Sequence, residues 1–161
     1  MIKPDAYTAM GKIIDSVAAN GLCINKLKMS RFTKKTVGEF YAEHAGKAFY
    51  PGLEQHMISD VVIGMELVGP DAVAQWRAVQ GPTNTQQAQS SAPGSLRALY
   101  GTDGTKNAVH GSDSIGSYKK EHQFWFGGTT PATRPMQTTA VLDNCTLCII
   151  KPHILREGRA G

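Results

Sequence analysis

The segment Asn107-Ala108-Val109-His110-Gly111-Ser112-Asp113-Ser114 brings an imidazole, hydroxyls and a carboxylate close together along the chain. A histidine at the end of a short apolar run, followed by glycine, can present a ring nitrogen to a cleft. The neutral ring is a nucleophile near neutral pH, and a neighbouring hydroxyl or carboxylate can fix its orientation. A single histidine is more often a satisfied or solvated group, and His44, His56, His122 and His153 are read that way. The 17 Lys and Arg residues exceed the 13 Asp and Glu residues, giving a net charge of +4. That balance suits a protein that handles polyanions such as nucleotide phosphates.

These groups need a scaffold. Gly11 to Asn20 carries Ile13, Ile14, Val17 and Ala18 at helical spacing, with Gly21 placed to end the helix in a left-handed conformation. Leu22 to Phe32 alternates, Leu27 and Met29 opposing Lys26 and Lys28, as a half-buried strand does. Thr33 is placed to cap a helix running to Tyr41, and Pro51 to open another whose apolar face is Leu53, Met57 and Ile58. Val61 to Val68 reads as a central strand, and Gly69-Pro70-Asp71 as the turn into a helix over Ala72 to Val79. Gly81 to Pro93, rich in Pro, Thr, Asn, Gln and Ser, reads as a surface loop. A short helix near Leu96 to Tyr100, a strand Ala108-Val109-His110 and a helix near Gly116 to Glu121 follow. The order is that of an α/β (α+β) sandwich, helices over an antiparallel sheet. Met1-Ile2 stands just before Lys3 and Pro4, so a strand opening there is expected to bury little, and the chain's true start to lie further upstream.

Several classes are excluded or disfavoured. Three cysteines, Cys23, Cys145 and Cys148, make no even disulfide framework, which with no apolar leader points to a reducing, cytoplasmic compartment. No run reaches the roughly 18 apolar residues of a membrane span, so no membrane role is expected. Gly101 to Gly104 holds no phosphate-loop pattern, and Cys145-Thr146-Leu147-Cys148 lacks the second pair that a zinc site needs. Residues 127–142, rich in Gly, Thr and Pro, read as a linker. Beyond them Ile149-Ile150-Lys151-Pro152 repeats Met1-Ile2-Lys3-Pro4 at a spacing of 148 residues. A repeat at that period indicates a tandem duplication, residues 1–126 forming one domain and 143–161 beginning a second.

Three motifs in order carry a resemblance. Ile2-Lys3-Pro4-Asp5-Ala6, then Phe40-Tyr41-Ala42-Glu43-His44 through Phe49-Tyr50-Pro51-Gly52-Leu53, then Ser95-Leu96-Arg97 through Ser114 are together similar to the nucleoside diphosphate kinase family. The resemblance implies a ferredoxin-like βαββαβ sheet covered by helices and a ping-pong reaction. His110 would accept the terminal phosphoryl group of ATP or another nucleoside triphosphate and pass it to a nucleoside diphosphate, with Mg²⁺ arriving on the nucleotide. It implies that Lys3, Arg77 and Arg97 hold phosphates and that Thr83 contacts them. Asn107 would read the sugar, Tyr41 would stand near the phosphoryl group, Ser112 and Glu121 would orient His110, and Phe49 would stack on the base. No metal ligand from the protein is implied, and nucleic acid is not expected as a partner. Lys47 stands where the family usually has arginine, Gly104 where a larger apolar residue often covers the base, and the loop Gly81 to Pro93 is longer than in compact members.

The tail Asp143 to His153, with Leu99 to Asn107, is similar to a tandem-domain branch of the family found in cilia and flagella. That similarity implies an axonemal, cytoskeletal location among doublet microtubules, with tubulin and axonemal proteins as partners. It also implies the alternative of a microtubule inner protein whose kinase site is weak or silent.

Overall fold

A computed structural model describes residues 1–128, together with 139, 146, 151 and 153. The sheet is built on one long antiparallel pair, β1 (Cys23–Arg31) and β2 (Val61–Val68), with Cys23 opposite Val68 and Arg31 opposite Val61. A bulge between Ile24 and Lys26 shifts the register once. Ile2 bridges Ile63 on one side and Val109 on the other, both antiparallel, so the spatial order is Val109, Ile2, β2, β1. This is the βαββαβ order of a ferredoxin-like α/β unit, with its two outer-sequence strands reduced to single bridges.

The expectation for the opening residues is corrected. Met1 is 7% exposed, Ile2 0% and Lys3 4%, because residues 1–3 lie in the middle of the sheet rather than at its rim. Ile2 exchanges hydrogen bonds with Ile63, at 2.8 and 3.0 Å, while Lys3 N–H donates to Ala108 O at 2.8 Å and His110 N–H to Met1 O at 2.9 Å. Alternation then sorts the core into two clusters. Ile2 and Ile63 join Ile13, Val17, Leu22, Leu96 and Val109, whereas Met1 and Val62 join Phe32, Val37, Tyr41, Leu53, Met57 and Trp125. Each fully buried aliphatic side chain contributes roughly 1.5 to 3 kcal/mol relative to exposure.

The helices follow the apolar periods. α1 (Met10–Ala19) buries Ile13 and Val17 and gives way to Gly21 at φ 71°. α2 (Lys34–Phe40) opens on a reciprocal cap between Thr33 and Thr36, and α3 (Tyr50–Met57) carries Pro51 in its first turn. α4 (Ala72–Gln80) and α6 (Leu96–Tyr100) lie where the sequence puts them. Between these two the structure differs from the sequence reading. Residues 85–91 form α5 (Thr85–Ser91), because the Asn84 side chain accepts from Gln87 N–H at 3.0 Å and Thr85 and Ala88 are buried. A polar composition does not prevent a helix that has a cap and one small buried face.

Two further expectations are revised. Ala108-Val109-His110 is not a continuous strand: Ala108 has φ 65°, which breaks the extended run and leaves only Val109 in a bridge. In β1, Ile24 and Met29 pack on the α1 side, but Leu27 remains 48% exposed. The strand's basic face is covered in part as well, since Lys26 and Lys28 both lie 5.6 Å from the Phe126 ring and Lys28 Nζ donates to Trp125 O at 2.7 Å.

That cover is α7 (Ile115–Phe126), which Ser114 and Ser117 cap reciprocally. Tyr118 Oη donates to Glu66 of β2 at 2.8 Å, His122 Nε2 lies 3.0 Å from the same carboxylate, and Trp125 packs against Gly64, where a Cβ would collide with its ring. Residues 118, 122 and 125 therefore hold one helical face against the sheet and leave Glu121 aimed along the rim toward His110. Among the described residues no helix is long and apolar enough to cross a membrane. The proposed linker and second-domain opening, including the Cys145/Cys148 pair, lie almost wholly outside the described residues.

Candidate active site

One cavity of about 570 Å³ opens between the α2–α3 region, the loop after α6 and the N-terminal end of α7. Lys3, Tyr41, Phe49, Arg77, Thr83, Arg97, Asn107, His110 and Glu121 all line it. Ser112 does not; it acts one step back, its hydroxyl donating to Glu121 Oε2 at 2.8 Å. Side chains as distant in the chain as residues 3 and 121 thus meet in one place because the sheet seats residues 1–3 beside Val109.

His110 sits at the floor, its Nε2 2.9 Å from Glu121 Oε1. Burial raises the Glu121 pKa, but the hydrogen bonds from His110 and Ser112 outweigh it, so the carboxyl ionises below its usual range. Burial also pulls the His110 pKa below the ordinary imidazole value, against the opposing pull of Glu121. The ring is therefore neutral at pH 7, with its proton on Nε2 toward the carboxylate and the lone pair on Nδ1. Phe40 meets the imidazole edge-on at 5.3 Å and Tyr41 at 5.9 Å, which limits its rotation. Trp76 Nε1 donates to His110 O at 3.4 Å from behind. The sequence assigns no site role to either Phe40 or Trp76.

The walls are cationic. Arg97, 9% exposed, donates through Nη1 to Gly81 O at 2.8 Å and Thr83 Oγ1 at 3.3 Å, and through Nη2 to Val109 O at 3.2 Å. Lys3 Nζ donates to Asn107 Oδ1 at 2.9 Å and to Thr105 O. Asn107 in turn donates to Thr83 O at 3.2 Å and Gly104 O at 3.1 Å, so loop, strand and cation are tied together. Burial brings the Lys3 pKa down to about 8. Burial and then the neighbouring Arg77 bring that of Arg97 down to about 10. Among the described residues none of Lys3, Arg77 and Arg97 is in a salt bridge, so each can meet an anion, while Glu43, Asp113 and Glu121 line other parts of the same cavity.

At the mouth, Phe49 is 50% exposed with Lys47 Nζ 5.9 Å from its ring centre. His44, which reads in the sequence as an ordinary histidine, stacks on Tyr41 at 5.6 Å and meets Phe49 edge-on at 5.5 Å, lining the same cavity. Burial pushes the Tyr41 phenol up, so it keeps its proton and remains a donor. Among the described residues no group of three or more His, Cys, Asp or Glu side chains is arranged to hold a metal ion.

A half-buried imidazole held by a carboxylate, three cations and an aromatic mouth thus share one cavity. The chain belongs to the nucleoside diphosphate kinase family, whose model matches residues 1–130. It is 43% identical over 164 residues to nucleoside diphosphate kinase homolog 7 of Rattus norvegicus, a match covering 100% of this chain and 40% of that protein. The nucleoside diphosphate kinase of Aquifex aeolicus is 43% identical over 130 residues, covering 80% of this chain and 92% of that one. A crystal structure of the Aquifex enzyme superposes with a TM-score of 0.76 over 79% of this chain and 92% of its own. A Halobacterium salinarum nucleoside diphosphate kinase in complex with CDP gives 0.72 at 34% identity, covering 79% of this chain and 84% of that one. The chain spans about two-fifths of the length of the homolog 7 relatives.

The shifts of His110 and Lys3 together set a pH window. A nucleophilic role for His110 would need its neutral ring, and the lowered pKa would place the acid limb below the ordinary imidazole range. Phosphate binding needs charged Lys3, which is lost as pH rises through about 8. Rate measurements at subsaturating nucleotide are expected to give a bell between those limits, with the alkaline limb absent in Lys3→Arg. A profile flat to pH 10 would remove Lys3 from the binding step.

Proposed function

We propose that the chain is a nucleoside diphosphate kinase domain working through phosphorylated His110. The observation that carries this reading is that Glu121 engages Nε2 of a ring lining the cavity shared with Lys3, Arg77 and Arg97, so Nδ1 is the nitrogen left for phosphorus. The Nδ1 lone pair attacks the terminal phosphorus of a nucleoside triphosphate. As the new N–P bond forms, the bond to the bridging oxygen breaks and its electron pair leaves with the diphosphate. Positive charge growing on the ring is balanced by the Glu121 carboxylate, which Ser112 holds in place. Lys3, Arg77, Arg97 and the Thr83 hydroxyl meet the charge spread over the transferring oxygens, and Tyr41 donates from the side. The ring is then discharged by the same steps in reverse, when a terminal oxygen of a second nucleoside diphosphate attacks the phosphorus. Magnesium carried by the nucleotide would neutralise part of the phosphate charge. Phe49 offers a face on which any base can stack, and Asn107 with Lys3 a polar edge for the sugar.

Incubation with ATP labelled in its terminal phosphate tests this directly. Acid-labile, base-stable label on the chain, released as labelled triphosphate when a different nucleoside diphosphate is added, is the expected result. Absence of label would overturn the proposal.

We also infer that residues 127–142 link this domain to a second one of the same family beginning at 143–161, and that the whole protein works in ciliary or flagellar axonemes, alongside tubulin-based doublets. The internal repeat and a homolog 7 match that runs through the tail support the tandem reading. An unlabelled protein that nevertheless stays with salt-washed axonemes would favour the microtubule inner scaffold instead.

A further inference from the structure

Ala108 is a non-glycine residue at φ 65°, two residues before the nucleophile and next to Asn107. Val109 N–H donates to Asn107 O at 2.7 Å across it, closing a three-residue turn that L side chains rarely adopt. Such a turn persists only where its surroundings over-determine it, and here both of its backbone groups are taken by the segment 3–5. Lys3 N–H donates to Ala108 O at 2.8 Å, and Ala108 N–H donates to Asp5 Oδ2 at 2.8 Å. The other oxygen of the same carboxylate lies 2.9 Å from Nε2 of His56, a 7% exposed residue in the last turn of α3. Burial raises the Asp5 pKa, and the bonds from His56 and Ala108 outweigh it, keeping the carboxyl ionised below its usual range.

We propose that His56 is a positioning residue for phosphoryl transfer, acting through Asp5 to hold the Ala108 turn and thereby the placement of His110 relative to Lys3 and Asn107. His56 does not line the nucleotide cavity and touches no reacting group. Its effect passes along one carboxylate: the imidazole fixes the rotation of Asp5, the second carboxylate oxygen fixes the amide of Ala108, and the turn sets where Val109 leads into His110. Loss of the histidine frees Asp5 to rotate and lets Ala108 relax toward an ordinary backbone conformation. The same histidine ties the catalytic turn to α3, the helix that begins beside Phe49.

The inference rests on the phosphohistidine reading, and its test is built to fail separately. The rate of first-turnover labelling of the full chain is measured for wild type, His56→Leu and His56→Gln, together with ADP affinity. The leucine variant keeps bulk and removes the donor, while glutamine places an amide nitrogen where Nε2 stood. His56→Leu is expected to label on the order of tenfold more slowly, short of the roughly hundredfold cost of a 1 Å misplacement, with ADP affinity unchanged. His56→Gln is expected to behave as wild type. Ala108→Gly, which takes a positive φ without strain, is expected to restore most of the rate in the His56→Leu background. A cavity or folding defect at position 56 would not respond to glycine at 108. Labelling by His56→Leu at the wild-type rate, or a slow rate indifferent to Ala108→Gly, would overturn the inference. If the wild-type chain takes no label, the kinase reading fails, and hydrogen exchange at the Ala108 amide still decides the hold: faster exchange in His56→Leu but not in His56→Gln supports it, and equal exchange in all three rejects it.

Discussion

His110→Ala is expected to abolish phosphoryl transfer between nucleotides while leaving ADP binding and the thermal transition close to wild type. Among the described residues lining the cavity, the imidazole alone joins a ring nitrogen left for phosphorus to a carboxylate bonded behind it. Removal of one member of a catalytic group that acts as a unit costs roughly a millionfold in rate. Here the intermediate itself disappears, so residual turnover should fall to the uncatalysed background. The ring is a small part of the core, with 27% of its side chain exposed, and its backbone bonds to Met1 and Trp76 do not depend on the side chain. Folding should therefore survive. A variant that kept even a tenth of the wild-type rate would move the chemistry to another residue, and a coupled assay with ATP and dTDP reads the difference.

Arg97→Ala is the second large effect, and it falls on binding. The guanidinium is buried, remains charged with a pKa near 10, and meets two backbone carbonyls and one hydroxyl but no carboxylate. Its charge is therefore unspent until an anion enters. Loss of hydrogen bonds to charged phosphate oxygens should weaken ADP by about 1.5 to 3 kcal/mol, or roughly tenfold to a hundredfold and more. Arg97→Lys should not restore it, because an ammonium cannot span Gly81 O and Val109 O while facing a phosphate. The alanine variant also orphans those carbonyls, so titration calorimetry must be paired with a check that the protein is folded. Unchanged ADP affinity in a folded Arg97→Ala protein would take this residue out of the phosphate site.

Much of the scaffold was legible because its elements are held by local physics. The apolar period of α1, the β-branched run of β2 and the Thr33 cap each declare themselves within a few residues. α5 was hidden because a polar segment became helical through one side-chain cap at Asn84 and the burial of Ala88, neither of which alters a hydrophobic period. The burial of Met1 to Lys3 was missed for a different reason: the partners that cover them, Ile63 and Val109, lie far along the chain. The site shows the same division. That His110 could be a nucleophile was visible from its neighbours, but which residues surround it followed only from family resemblance, since no spacing relates residue 3 to residues 97 and 121. The contacts that resemblance did not supply are those of His44, Phe40 and His56. Phe40 and His56 sit on helices read correctly as structure and His44 just beyond α2, and only the folded geometry gives each a partner in the site.

The account turns on which nitrogen of His110 is free. Phosphorus NMR of the chain trapped after one turnover with ATP distinguishes the two ring isomers. Because Glu121 occupies Nε2, the phosphate is expected on Nδ1 of His110. A phosphate found on Nε2, or on any other side chain, would contradict the geometry from which the mechanism is built.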